Sequence, residues 1–109
     1  MEDRRVFERI NTKLPVRFLD PSSGREGIAD TIDICANGLG MVTNESLSTM
    51  TPLEMWLGIP DQHEPLYTRG EVIWSEPSPG TGEYRVGVRL EKAELMGLAR
   101  VLWLKERAA

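Results

Sequence analysis

Apolar and polar residues alternate along most of the chain in short runs separated by turn-forming residues, the pattern of an all-β domain. The first predicted strand is Leu14 to Leu19, with Val16 and Phe18 on one face, and Pro21-Ser22-Ser23-Gly24 reads as the turn after it. A second strand spans Gly27 to Cys35. Strict alternation there puts Ile28, Ile32 and Ile34 on one side and Ala29, Thr31, Asp33 and Cys35 on the other. Asn37-Gly38 is a hairpin signal, since both residue types tolerate positive φ, and a third strand follows over Leu39 to Thr43. In the fourth, Leu53, Met55, Leu57 and Ile59 alternate with Glu54, Trp56 and Gly58. The fifth is expected over Tyr67 to Ser75, a Gly/Pro loop over Pro77 to Gly82, and the sixth over Tyr84 to Leu90. The period then changes to 3.6: Leu95, Leu98 and Leu102 mark one face of an amphipathic helix from Lys92 to Glu106. Six strands and one helix predict a mainly β fold, a six-stranded antiparallel β-barrel with a C-terminal α-helix over its apolar face or an open end. Residues 1–12 are expected to form a mobile N-terminal segment outside this barrel, and residues 13–109 the barrel domain with its helix.

Composition bounds the function. A chain of 109 residues makes one domain, and a domain of this size sustains a core without staples. The single cysteine forms neither an internal disulfide nor a thiolate zinc site. No metal-ligand spacing is present, no apolar run reaches the roughly 18 residues of a membrane span, and the N-terminus has no signal core. A cytoplasmic location is the expectation. The formal net charge of −4 argues against general affinity for nucleic-acid backbones. Ten of the thirteen basic residues are nevertheless arginine, whose planar fork suits phosphates and base edges. That combination suits one small anionic ligand better than a polyanion.

Two stretches carry candidate chemistry. Arg4, Arg5 and Arg9 crowd into the first nine residues among Glu2, Asp3 and Glu8, and by themselves they also fit a solvated tail whose charges cancel. In Asp33-Ile34-Cys35-Ala36-Asn37-Gly38, Asp33 and Cys35 share a strand face just before a turn. An aspartate placed there can accept two hydrogen bonds from a guanine edge or pair with an arginine. Taken alone it also fits a solvent-facing strand residue. Catalysis finds little support: Cys35 and His63 are the only nucleophile–base candidates, and nothing in the sequence brings them together. The chain is not expected to be an enzyme.

Together the two stretches are far more specific. An RxxxR pair followed about twenty residues later by DxSxxG resembles the signature of the bacterial PilZ domain family, here Arg5 to Arg9 and then Asp33 to Gly38. Gly70 to Trp74 (GEVIW) and Tyr84 to Leu90 (YRVGVRL) resemble the family's fifth and last strands, so the likeness spans the chain. It implies a receptor for the second messenger cyclic di-GMP. Arg5 and Arg9 would clamp a guanine edge and the phosphates, while Asp33, Gly38 and residue 35 would form the barrel-side wall. Arg4 would stack on a second guanine and favour an intercalated ligand pair. Asn37, Trp74 and Arg89 are secondary candidates. The strand parity of Trp74 is ambiguous and a core position is its simpler assignment, whereas Arg89 faces outward.

One position departs from the motif, Cys35 in place of serine. If the serine hydroxyl normally meets the ligand, a thiol there costs about 0.5–1.5 kcal/mol, up to roughly tenfold in affinity. The expected function is therefore a cyclic di-GMP sensor with no attached output domain. Its arginine segment would close over the ligand and alter a surface read by a downstream protein. No nucleic acid, membrane, metal or further cofactor is expected. The alternative is a PilZ-like adaptor that no longer binds nucleotide.

Overall fold

Which residues of each strand face inward decides how the strands close. The structure, a computed structural model, describes residues 9–35, 37–60, 62–91, 94 and 96–98. Its strands are β1 (Ile10–Asn11), β2 (Pro15–Asp20), β3 (Arg25–Cys35), β4 (Gly38–Thr43), β5 (Pro52–Leu57), β6 (Leu66–Ser78) and β7 (Glu83–Leu90). All pairings are antiparallel, in the ring order β3-β2-β5-β6-β7-β4, and β4 pairs back onto β3 to close a six-stranded barrel. Closure is driven by burial: Val16 and Phe18, Leu39 and Met41, Leu53, Met55 and Leu57, Val72, Val86 and Val88 all point into one core. The ring of Phe18 lies over Gly27, where an added Cβ would come within 2.5 Å of its Cζ. The alternating set expected for the fourth predicted strand, Leu53, Met55, Leu57 and Ile59, is the buried one.

Three features differ from the sequence reading, each for a local reason. In β3, Ala29 and Thr31 are the buried residues, and Ile28 is 73% exposed. A β-bulge between Thr31 and Asp33 then reverses the parity, so that Ile34 is buried and Asp33 and Cys35 stay on the outer side. Strand β6 runs on to Ser78, because the β6–β7 hairpin continues through Pro77↔Tyr84 and Ser78↔Glu83. The turn that ends it is shorter than the expected loop and uses Gly80 and Gly82 at φ +79° and +75°. The β3–β4 hairpin also closes differently from the expected Asn37-Gly38 turn: Cys35 pairs with Gly38, which places Gly38 in β4.

The seventh strand, β1, was not expected. It pairs with β3 through Ile10↔Ile34 and Asn11↔Asp33, on the same side of β3 as β2. The chain bulges between β1 and β2, and the buried Thr31 hydroxyl spans the bulge. It accepts from the Leu14 N–H at 2.8 Å and donates to the Thr12 carbonyl at 2.6 Å. The N-terminal segment is thus tied to the barrel from Ile10 onward, and residues 1–8 lie outside the described residues.

At the other end, Glu94 and Met96–Leu98 are helical, within the expected helix, whose other positions lie outside the described residues. Leu98 is fully enclosed, and Glu94 accepts from the Thr68 hydroxyl at 2.6 Å and the Arg69 N–H at 3.2 Å. The chain after β7 is therefore anchored on β6.

Candidate functional site

Two β-bulges build the site. The bulge in β3 turns Asp33 outward, and a second in β6, between Val72 and Trp74, turns Trp74 outward as well. The register then lays these residues in two neighbouring rows across β3, β4, β7 and β6. One row reads Asp33↔Gly40↔Gly87↔Trp74. The other reads Cys35↔Gly38↔Arg89↔Glu71. Three glycines floor the patch, so its centre is bare backbone. Asp33 and Trp74 stand at opposite ends of one row.

Each glycine is required by a close approach. A Cβ at Gly38, whose φ is +149°, would lie 1.9 Å from the Val88 carbonyl oxygen. Gly38, expected from the resemblance at the ligand wall, is the position where β4 lies tight against β7, and the Asn37 carbonyl accepts the Leu90 N–H at 3.2 Å beside it. A Cβ at Gly40 would lie 3.0 Å from Asp33 Oδ1, so that glycine leaves room for the carboxylate. At Gly87 a Cβ would reach to within 2.3 Å of the Trp74 indole, which rests on the glycine. Trp74 is 41% exposed. It is not a core residue, and the bulge is what the alternation of β6 concealed.

The arginine segment reaches this patch from the far side of β3. Because Asn11 pairs with Asp33, Arg9 emerges beside the carboxylate, and its Nε lies 3.1 Å from Asp33 Oδ2. Arg9 is largely exposed and Asp33 mostly covered. An ion pair this open contributes at most about 1 kcal/mol to stability, so its main effect is to hold the guanidinium at the rim. Arg4 and Arg5 lie outside the described residues. Cys35 is a half-buried free thiol on the patch. Asn37 is exposed at the turn, and Arg89 is exposed and ion-paired with Glu71.

Arg9, Asp33, Cys35, Gly38, Trp74 and Arg89 therefore share one outer face. Sequence reasoning missed Gly40, Gly87 and Glu71. The only trace of them in the sequence is a glycine on the outer parity of an otherwise alternating strand, in Gly38-Leu39-Gly40 and Val86-Gly87-Val88. The arrangement offers a cation, a hydrogen-bond acceptor, a flat floor and an aromatic face. His63 is exposed in the loop between β5 and β6. Among the described residues no cluster of three or more His, Cys, Asp or Glu could hold a metal ion.

Comparison with known proteins places this arrangement in context. The family model described as the PilZ domain matches residues 3–105. The fold is similar to that of the PilZ domain of Escherichia coli YcgR with c-di-GMP, at TM-score 0.69 and 14% identity, over 96% of this chain and 93% of that one. It is also similar to the Bacillus subtilis inhibitor of motility MotI/DgrA, at TM-score 0.68 and 14% identity. That match covers 99% of this chain but only 53% of the Bacillus protein. The PilZ domain of CeSA from a cellulose-synthesizing bacterium matches at TM-score 0.59 and 16% identity, over 91% and 98% of the two chains. No curated protein matches the sequence.

Proposed function

The chain belongs to the PilZ domain family, and on that premise we propose that it is a cyclic di-GMP sensor that reports ligand through a protein-contact surface. The observation that carries this reading is the meeting of the two motifs. Arg9 and Asp33, 24 positions apart in sequence, stand 3.1 Å apart at the rim of a glycine floor that ends at Trp74. The ligand seen with the YcgR domain has the matching chemistry of two phosphates and two guanines.

Each residue has a role in this reading. The Arg5 and Arg9 guanidiniums take the phosphates and a guanine O6/N7 edge through charge-assisted hydrogen bonds. Asp33 accepts from the guanine N1 and N2 hydrogens. Gly40 and Gly87 let a planar base approach the sheet, and the exposed indole of Trp74 stacks on it, a contact worth about 1–3 kcal/mol per base. Arg4 stacks on a second guanine. Cys35 supplies a weaker donor than the motif serine. Ordering the arginine segment over the ligand has an entropic cost, and it changes a surface, which is what a signal requires.

Titration calorimetry with cyclic di-GMP tests the reading. Binding is expected for the wild type and most of it is lost in Arg5→Ala and Arg9→Ala, while Cys35→Ser binds as well or up to about tenfold more tightly. Absence of heat and of amide shifts at millimolar ligand would overturn it. That outcome favours the alternative that Cys35 keeps open, an adaptor of the same fold acting through protein contacts alone.

A further inference from the structure

The outer wall formed by β2 and β5 departs from the alternation of a half-buried sheet. In the ring these strands lie opposite β7 and β4, on the far side from the glycine floor. One outer row reads Ile28↔Arg17↔Trp56↔Tyr67. The Arg17 guanidinium carbon sits 4.7 Å from the centre of the Trp56 ring, and the Tyr67 ring centre lies 5.4 Å beyond, tilted by 53°. Ile28 is 73% exposed and Tyr67 44%. A groove of about 450 Å³ leads from this wall across β3 to β4, lined among others by Pro15, Ile28, Val42 and Trp56. Solvent alone would favour polar side chains here.

We propose that this wall is a docking surface for a protein partner presenting a basic segment with aliphatic side chains. Tryptophan, tyrosine and arginine are the residue types that dominate interface energetics, and here they are pre-ordered by stacking on one another. Charge selects the occupant. The carboxylates of Glu26 and Glu54 lie in the next row, paired across Leu19, and Asp30 lies opposite Pro15 on the other side. Glu83 lines the groove. Against these stand Arg17, already over the indole, Arg69 opposite Glu54, and Arg85, which lies between Val42 and Glu76. A second copy of this chain would bring the same acidic border and a net charge of −4 to the contact, which disfavours it. Both β2 and β5 are hydrogen-bonded on either side, so side chains rather than strand addition hold the partner. The surface uses neither Arg9 nor Asp33, and its test needs no nucleotide.

The ¹⁵N-labelled full chain is titrated with a short peptide alternating leucine and arginine, and with a counterpart alternating leucine and glutamate. The basic peptide is expected to shift the Trp56 indole N–H and the amides around Arg17 and Ile28, and to weaken as salt rises. Ile28→Thr, at a site too exposed to disturb the fold, is expected to weaken it about tenfold, the loss typical of one anchor side chain. The proposal is overturned if neither peptide or both bind alike, if the shifts centre on Asp33 and Trp74, or if Ile28→Thr binds like the wild type. It is also overturned if the Trp56 indole moves with protein concentration alone, which would make a second copy the occupant.

Discussion

The Trp74 indole owes its position to one missing atom group. Gly87 leaves room for the ring against the sheet, since a Cβ at that position would stand 2.3 Å from the ring nitrogen. Gly87→Ala is therefore expected to displace the indole, change Trp74 fluorescence and weaken cyclic di-GMP at least severalfold by removing a base-stacking contact. The readout that separates this from general damage is an unchanged Arg9–Asp33 contact by NMR. Gly38 differs in kind, because its Cβ would strike backbone, the Val88 carbonyl. The Asp33-to-Gly38 stretch was legible in the sequence as a motif, but its residues do different work. Asp33 offers a side chain, while Gly38 offers the absence of one.

At the scale of elements, the connection between the motif strand and the arginine segment runs through Thr31. Its hydroxyl satisfies both the Leu14 N–H and the Thr12 carbonyl, two groups left unpaired where β1 passes into β2. Thr31→Val keeps the shape and orphans both, so a loss of about 1–3 kcal/mol is expected in denaturant unfolding. Exchange protection at Thr12 and Leu14 falls with it. The β2–β3 turn gives a pH signature. Hydrogen bonds from the Ser22 hydroxyl, then from Ser23 and the two backbone N–H groups, hold the Asp20 carboxyl below its ordinary 3.8, against a smaller opposing effect of burial. A depressed folded-state pKa means that the contribution is complete above the unfolded value and is lost as pH falls through the folded one. The stability difference between wild type and Asp20→Ala is thus expected to shrink on acidification below about pH 4, measured by unfolding at a series of pH values. The period-2 pattern predicted six of the strands well. It missed β1, since two residues carry no period, and it misassigned Ile28 and Trp74, since alternation carries no mark of a bulge.

For the whole molecule, the barrel depends on a single core to which every strand of the ring contributes. Phe18 is fully enclosed in it, with its ring against Gly27. Phe18→Ala is expected to cost about 3–5 kcal/mol, a large share of the roughly 5–15 kcal/mol of a small domain, and to lower the urea midpoint accordingly. Closing the ring places the glycine floor on one side and the Arg17–Trp56–Tyr67 row on the other. The sequence by itself determined the fold class and the inward residues of most strands, because periodicity is a local property, and its resemblance to a known family supplied the arginine segment and Asp33 as the candidate site. Tertiary structure alone decided that Trp74 faces out, that Gly40 and Gly87 belong to the patch and that an aromatic row occupies the far wall. Bulges and cross-strand register join residues distant in sequence, and a one-residue shift in either reverses the face on which a side chain stands.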